Sequence, residues 1–317
     1  MAGKKPPETQ RAGYVAIIGA PNAGKSTLLN RLVGHKVSIT SPKPQTTRMK
    51  VSGIWSDDES QTQIVFMDTP GLFEPKRRLD RAMVQAAWAT LDDANVVLLV
   101  IDAGKRKNEA TDKIIVELKR RQQHVVAVLN KIDTIKRDQL LPLAAALQET
   151  GLVDDTVMIS AKSGDGLDDV KKLLADRMPE NPWYFDGEEL SDLPTQVWAA
   201  EITREQLYRQ LQQELPYAAT VAPESLQTKK DGSVVIRQNI IVARKAHKPI
   251  VLGAGGARIK SIGEAARKDM IKIFDTPVHL FLDVKCDENW QERADYYHLF
   301  GLDFDKGKGA SKKKKSR

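Results

Sequence analysis

Five runs of consecutive apolar residues punctuate the first half of the chain: "YVAII" from Tyr14, "QIVFM" from Gln63, "VVLLVI" from Val96, "HVVAVLN" from His124 and "TVMIS" from Thr156. Between them apolar positions recur at helical spacing. A strand that is apolar at every position must be covered on both faces, so residues Tyr14 to about Met178 predict a mostly parallel sheet wrapped by helices. The stretch "MPENPWYFDGEELSDLPTQ" that follows carries Pro179, Pro182 and Pro194, which break any continuing helix, and it reads as a linker. Its aromatics Trp183, Tyr184 and Phe185 are expected to pack on a domain surface. The second half has a different rhythm. A helix is expected around Glu201 to Leu215, then two strands near Ala219 to Leu226 and Ser233 to Ala243 joined by the turn "KKDGS". Helical pattern flanks the glycines of "PIVLGAGGARIKSIGEAARKDM", the run "VHLFLDVKC" alternates as a strand, and a last helix is expected near Trp290 to Phe300. This divides the chain into domains at 12–178 and 197–303, a linker at 179–196 and a tail at 304–317.

Composition narrows the class. With 317 residues, 41% hydrophobic and 29% charged, the chain suffices for two buried cores. No apolar run approaches the roughly 20 residues that cross a bilayer. The start "MAGKKPPETQ" lacks the apolar centre of a signal peptide. One cysteine, Cys286, can make neither an internal disulfide nor a zinc site. A cytoplasmic protein is therefore expected. The net charge of +7 is concentrated at the end, where Lys306, Lys308, Lys312, Lys313, Lys314, Lys315 and Arg317 follow Asp305 without an acid. Such a tail is either a solvated, disordered end or a sequence-independent hold on nucleic acid or on an anionic membrane surface.

The chemistry begins at "GAPNAGKST", Gly19 to Thr27, which fits GxxxxGK[ST] directly after one strand and opens a helix. Glycines let the backbone fold round a phosphate, N–H groups and the helix N-terminus supply positive dipole, Lys25 neutralises β/γ oxygens, and the Ser26 hydroxyl ligates Mg²⁺. Three more motifs follow in order, each after an apolar strand. "DTPG" places the Asp68 carboxylate toward the Mg²⁺ shell and the Gly71 amide toward a γ-phosphate. "NKID", Asn130 to Asp133, selects guanine, because its N1–H and exocyclic amine are two donors that the Asp133 carboxylate accepts together and adenine lacks them. "SAK", Ser160 to Lys162, can bring a backbone N–H to guanine O6. The candidate GTP-binding set is Gly19, Pro21, Asn22, Ala23, Gly24, Lys25, Ser26, Thr27, Asp68, Thr69, Pro70, Gly71, Asn130, Lys131, Asp133, Ser160, Ala161 and Lys162.

These motifs, together with "SITSPKPQTTR" at Ser38 to Arg48, the linker "PENPWYF", "VLGAGGARIKSIG" and "VHLFLDVK", resemble those of the Era GTPases of the TrmE-Era-EngA-like class over nearly the full length. The resemblance implies a Ras-like P-loop GTPase domain (α/β) followed by an α+β KH domain of type II. It implies that a threonine of "QTTR" completes the Mg²⁺ shell in the GTP state. Thr47 is the expected one and Thr46 the alternative, so Ser26, Thr47 and Asp68 form the expected metal set, and Lys25, Thr47 and Gly71 the catalytic one. Asn22 matches an asparagine that helps hold K⁺ in related GTPases; capping of its own loop is the alternative reading. Leu72 stands where Ras-type enzymes carry a water-orienting glutamine, which implies slow hydrolysis suited to a timer.

The second glycine loop lacks GK[ST] and is followed by no base-selecting motif. By resemblance Gly253, Ala254, Gly255 and Gly256 form the GxxG loop of the KH domain, which clamps about four nucleotides of single-stranded RNA. Charge points the same way independently: between Arg237 and Lys272 nine lysines and arginines face only Glu264 and Asp269. The expected RNA-binding residues are those four with Arg258 and Lys260. Ile250, Val251, Ile259 and Ile262 are divided between groove and core. The family commonly places a lysine or arginine second in this loop, where this chain has Ala254. The resemblance implies as partners the 3′ end of 16S ribosomal RNA and the 30S subunit, with assistance to subunit biogenesis by a monomer. A peripheral inner-membrane contact through the basic tail, as in a membrane-associated signalling GTPase, and an RNA-binding scaffold with a structural nucleotide are the alternatives.

Overall fold

The protein is described by a computed structural model, covering residues 9–105 and 108–307. The expectations placed on the lysine tail beyond Lys306 fall outside the described residues. The described residues form two compact units. The first takes in the chain up to Ser38, Thr47–Pro75 and Met83–Asp192, and the second takes in Ile39–Thr46, Lys76–Ala82 and the chain from Leu193 onward.

In chain order the elements before the linker are β1 (Arg11–Gly19), α1 (Lys25–Val33), β2 (Val51–Asp57), β3 (Thr62–Asp68), α2 (Arg78–Ala89), β4 (Val96–Asp102), α3 (Glu109–Arg121), β5 (Val125–Asn130), α4 (Leu140–Gln148), β6 (Val153–Ile159) and α5 (Leu167–Arg177). The sheet of the first unit has the order β2-β3-β1-β4-β5-β6. β1, β3, β4, β5 and β6 run parallel, as continuous apolar runs require, and β4 and β5 are buried at every position. The pattern did not predict β2, which pairs antiparallel with β3 on the sheet edge. Its run "VSGIWSD" mixes apolar residues with Ser, Gly and Asp, because an edge strand is not covered along its whole length. The linker aromatics lie on this unit: the Trp183 indole donates to the Gln61 carbonyl at 3.2 Å, and the Tyr184 ring stacks 4.8 Å from that of Tyr14.

The elements after the linker are α6 (Thr195–Gln210), β7 (Ala219–Thr228), β8 (Val234–Val242), α7 (His247–Leu252), α8 (Ala257–Phe274), β9 (Val278–Cys286) and α9 (Ala294–Leu299). β7 and β8 form an antiparallel hairpin closed at "KKDGS", where Lys229 N–H donates to the Ser233 carbonyl at 2.8 Å, and β9 adds parallel to β8. Helices α6 and α8 bury Leu207, Ile262 and Met270 among Ile236, Ile240 and Val284 of the sheet. α6 begins six residues before the position expected from the sequence and ends at Gln210 instead of Leu215. Its residues Trp198 to Tyr208 are all buried, charged ones included, so it shows no polar stripe to mark its limits. Among the described residues no helix is long and apolar enough to cross a membrane.

Candidate functional site

Parallel strands in one sheet end on a common edge, and ligands collect where the chain departs to opposite sides of a strand. β1 sits between β3 and β4. Gly19, Asp68, Asp102 and Asn130 end β1, β3, β4 and β5, and Ser160 follows β6, so four separated motifs meet on that edge.

The loop after β1 is shaped by Gly24, whose φ of +100° and a would-be Cβ only 2.3 Å from Asn130 Nδ2 leave no room for a side chain. The chain then enters α1 at Lys25, which is buried and donates through Nζ to the carbonyls of Gly19 and Ala20 at 3.2 and 3.1 Å. Burial pulls the Lys25 ammonium down to about 8, against the attraction of Asp68. Burial likewise pushes the Asp68 carboxyl up, against Lys25 and the hydroxyls of Ser26, Ser38 and Thr47. Both shifts favour neutral forms, a tension that a polyphosphate and a divalent cation would relieve.

Three hydroxyls converge on Asp68 Oδ2. Ser26 Oγ donates to it at 2.6 Å and Ser38 Oγ at 3.0 Å, while Thr47 Oγ1 lies 2.9 Å from Ser26 Oγ and 3.5 Å from Oδ2. Of the two adjacent threonines, Thr47 faces this cluster and Thr46 donates to the Lys43 carbonyl at 2.8 Å. Asp68 is fully buried, yet its Oδ1 has no hydrogen-bond partner. A carboxylate with one orphaned oxygen, grouped with the hydroxyls of Ser26 and Thr47, is a hard-oxygen donor set that fits Mg²⁺. Among the described residues there is no His/Cys/Asp/Glu cluster of the kind that holds transition metals.

The remaining "DTPG" residues frame the loop. Thr69 is fully buried and donates to the Ile17 carbonyl at 2.9 Å, so its hydroxyl works inside the fold. Pro70 leads to Gly71, where a Cβ would stand 3.2 Å from the Pro21 backbone and 3.3 Å from Lys25 Nζ. Leu72 is buried and its N–H donates to the Gly19 carbonyl at 3.1 Å, tying this turn to the phosphate loop.

The two motifs expected to select the base are joined by Asn130. Its Nδ2 donates to the Ala23 carbonyl at 2.9 Å, and its Oδ1 accepts the Ala161 N–H at 3.0 Å and the Lys131 N–H at 2.8 Å. Lys131 adopts φ +67° and donates to the Asn22 carbonyl and to Asp102 Oδ2, each at 2.7 Å. Asp133 is exposed, accepts the Ser160 hydroxyl at 2.7 Å and borders a cavity of about 560 Å³ with Ile132, Ile135 and Met158. Lys162 presents its carbonyl to Arg31 at 2.7 Å. Thr27 and Pro21 are half-buried and Asn22 is exposed on the loop. Sequence reasoning missed Asp102 and Ser38. Asp102 could have been found as the carboxylate ending β4 in register with Asn130; Ser38 carries no such signal.

The second glycine loop joins α7 to α8. Gly253 has φ +75°, and a Cβ there would lie 2.8 Å from Arg258 N and Cβ, so the chain can turn this tightly only with glycine. Ala254, Gly255, Arg258 and Lys260 are exposed, Gly256 is half-exposed, and Arg258 Nη1 donates to the Ile250 carbonyl at 2.9 Å. Beside the loop Ile259, Lys260, Gly263 and Arg267 of α8 face His279, Phe281 and Leu282 of β9 across a groove of about 510 Å³. Ile250 is exposed and Ile259 lines the groove, while Val251 and Ile262 are fully buried in the core. Phe281, 49% exposed, carries the Arg237 guanidinium 4.7 Å from its ring centre. Sequence reasoning did not single out this stacked pair, although an aromatic on the polar face of an alternating strand is a readable signal.

Comparison with known proteins completes the picture. Residues 14–131 match the family described as 50S ribosome-binding GTPase, and residues 214–291 match the KH domain family. The chain is 53% identical over 296 residues to GTPase Era of Sinorhizobium medicae (strain WSM419), covering 93% of this chain and 95% of that protein. It is 50% identical over 304 residues to GTPase Era of Brucella suis biovar 1 (strain 1330), covering 96% of this chain and 97% of the relative. Among solved structures, a tyrosine-to-alanine variant of Aquifex aeolicus Era bound to GDP·AlF₄⁻ matches with a TM-score of 0.87 at 39% identity, over 92% of this chain and 99% of that one. A structure of Era with MgGDPNP and nucleotides 1506–1542 of 16S ribosomal RNA matches with the same TM-score, identity and coverage. Strand order, loop chemistry and these likenesses agree on a Ras-like domain that hydrolyses GTP followed by a KH domain: the chain belongs to the GTPase Era family.

Proposed function

We propose that the protein is a GTP-driven switch that grips the 3′ end region of 16S ribosomal RNA and assists maturation of the 30S subunit, acting in the cytoplasm as a monomer. Residues 12–178 serve as the nucleotide-binding domain, 197–303 as the RNA-binding domain and 179–196 as their linker. The observation that carries the reading is the buried Asp68 carboxylate, with one oxygen holding hydroxyls and the other without a hydrogen-bond partner.

In this reading Ser26, Thr47 and Asp68 hold Mg²⁺ directly or through water. The bound ion would offset charge on the β/γ oxygens as the terminal phosphoryl leaves. Lys25 exchanges its contacts to the Gly19 and Ala20 carbonyls for phosphate oxygens, whose negative charge stabilises the ammonium. The Gly71 amide faces the γ-phosphate, and Asp133 accepts the two guanine donors. Leu72 offers attacking water no side-chain hydrogen bond, so backbone groups and charge must position it. The same reading puts a K⁺ ion beside Asn22, and hydrolysis compared in KCl and NaCl tests it.

For RNA, the Gly253–Gly256 turn admits the sugar-phosphate backbone, Arg258 and Lys260 supply charge, and the groove with Phe281 and Arg237 offers a stacking face for bases. Support comes from the relative solved with MgGDPNP and a 16S fragment. Crosslinking and sequencing of RNA bound to the GTP-analogue-loaded protein is the test. Crosslinks concentrated at the 3′ end of 16S RNA are expected, and crosslinks spread evenly over ribosomal RNA would overturn the assignment.

A further inference from the structure

The stretch Ile39–Thr46, which leads into Thr47, is held by one helix of its own unit. Six hydrogen bonds to α6 and to the residue that follows it fasten it. Glu205 Oε1 accepts the Thr40 N–H at 3.0 Å and the Thr40 hydroxyl at 3.3 Å. Lys43 Nζ donates to the carbonyls of Tyr208 and Leu211 at the end of the helix. The Tyr208 hydroxyl donates to the Gln45 carbonyl at 3.2 Å. The last contact is the most specific: Arg204 Nη2 donates to the Thr46 carbonyl at 2.6 Å. That carbonyl belongs to the peptide linking Thr46 to Thr47. A peptide is planar, so fixing its oxygen fixes the direction in which the chain enters Thr47.

Arg204 is built for this task. It is 1% exposed, which is rare for an arginine, and its fork is oriented by Glu201, which accepts from Nε at 2.7 Å and from Nη2. Its guanidinium also lies 5.2 Å from the Tyr208 ring centre. A buried ion pair is a poor device for stability, because desolvation offsets most of the Coulomb attraction. A buried pair whose Nη2 also reaches one backbone carbonyl next to a metal-facing threonine is instead a device for position.

We propose that Arg204, oriented by Glu201, is a positioning residue for GTP hydrolysis: by holding the Thr46 carbonyl it aims the Thr47 hydroxyl, so that a helix in the C-terminal half of the chain sets the Mg²⁺ requirement and turnover of the GTPase site. The proposal rests on the reading that Thr47 ligates Mg²⁺ in the GTP state. It assigns Arg204 no contact with nucleotide or metal.

The test measures steady-state GTP hydrolysis by the full-length chain against Mg²⁺ concentration, with GDP affinity and melting temperature alongside. Arg204→Met is expected to raise the half-saturating Mg²⁺ concentration and lower kcat by about tenfold to a hundredfold, the scale of a small misplacement of a reacting group. GDP affinity is expected to stay within about twofold, because Thr47 serves the shell of the GTP state only. Arg204→Lys, which keeps a donor for the carbonyl but loses the fork to Glu201, is expected to recover part of the Mg²⁺ dependence. Should Arg204→Met not fold, the double variant Glu201→Gln with Arg204→Met removes both buried charges and is read in the same way. Thr47→Ala separates the two layers. If it shifts the Mg²⁺ requirement and the Arg204 variants do not, the positioning role is wrong while the metal site stands. If Thr47→Ala itself leaves the requirement unchanged, the metal reading fails and the proposal with it. Loss of hydrolysis, GDP binding and melting temperature together, with no change in Mg²⁺ requirement, would show Arg204 to be merely structural.

Discussion

Asn130 uses both ends of its side chain within the protein, its nitrogen on the Ala23 carbonyl and its oxygen on the Ala161 N–H. Replacing it by alanine orphans groups in two loops at once. Asn130→Ala is expected to lower stability by about 1–3 kcal/mol and to weaken GTP and GDP binding alike, as thermal melts and nucleotide titrations will show. Asp133 is the opposite kind of residue, exposed and held only lightly in place by the Ser160 hydroxyl. Asp133→Asn is expected to move preference from guanine to xanthine nucleotides, and an undiminished preference for GTP in a competition titration would remove the role given to Asp133. Leu72 is buried in the core with its N–H on the Gly19 carbonyl, and its side chain offers attacking water no hydrogen bond. Leu72→Ala is expected to retain turnover to within a few-fold in a phosphate-release assay; losing most of it would show that the side chain is needed. At this scale legibility follows the partner. Asp133 and Lys25 were readable because the partner proposed for them is the nucleotide, whose chemistry is known in advance. The linking role of Asn130, and Asp102 under Lys131, depend on backbone groups and neighbours that only the fold brings near.

Elements were legible where their burial was regular. β4 and β5 are buried at every position and read as unbroken apolar runs, and β9 alternates in both sequence and exposure. β2 was not readable, because it pairs on one side and its composition is mixed. The misplaced limits of α6 have the opposite cause. Glu201, Arg204 and Glu205 are buried together with its apolar residues, so the polar positions that normally mark an exposed helix face mark nothing here. The glycine turn before α8 was legible as a turn, and its tight contact with Arg258 explains why Gly253 starts it. Its second residue offers a clean test. Ala254 is exposed, so Ala254→Lys should fold normally and add one phosphate contact. RNA affinity is expected to rise, and the slope of log affinity against log salt to steepen by about 0.7. An unchanged slope in filter-binding titrations would mean that the loop does not meet the RNA backbone.

For the whole molecule, the grouping of residues matters more than their order in the chain. Ile39–Thr46 and Lys76–Ala82, which flank the Thr47 and Asp68–Gly71 stretches in sequence, belong with the compact unit that carries the glycine turn and groove. In the proposed function, a nucleotide that reorders those stretches acts on segments of the unit that carries the glycine turn. No reading of motifs along the chain could show this grouping, because it arises from long-range contacts, of Ile39–Thr46 with α6 and of Arg78 and Arg81 with the carbonyls of Phe304 and Gly307. Its consequence is thermodynamic: GTP can change RNA affinity only as far as the two nucleotide states differ in their affinity for RNA, and RNA must bias the nucleotide equilibrium by the same factor. The most direct measurement is the equilibrium affinity of the full-length protein for an RNA carrying the 3′ end of 16S ribosomal RNA, taken with Mg²⁺ and a non-hydrolysable GTP analogue and again with GDP. A GTP-driven RNA switch predicts binding at least about tenfold tighter in the analogue state, a coupling of typical size; equal affinity in the two states would contradict it.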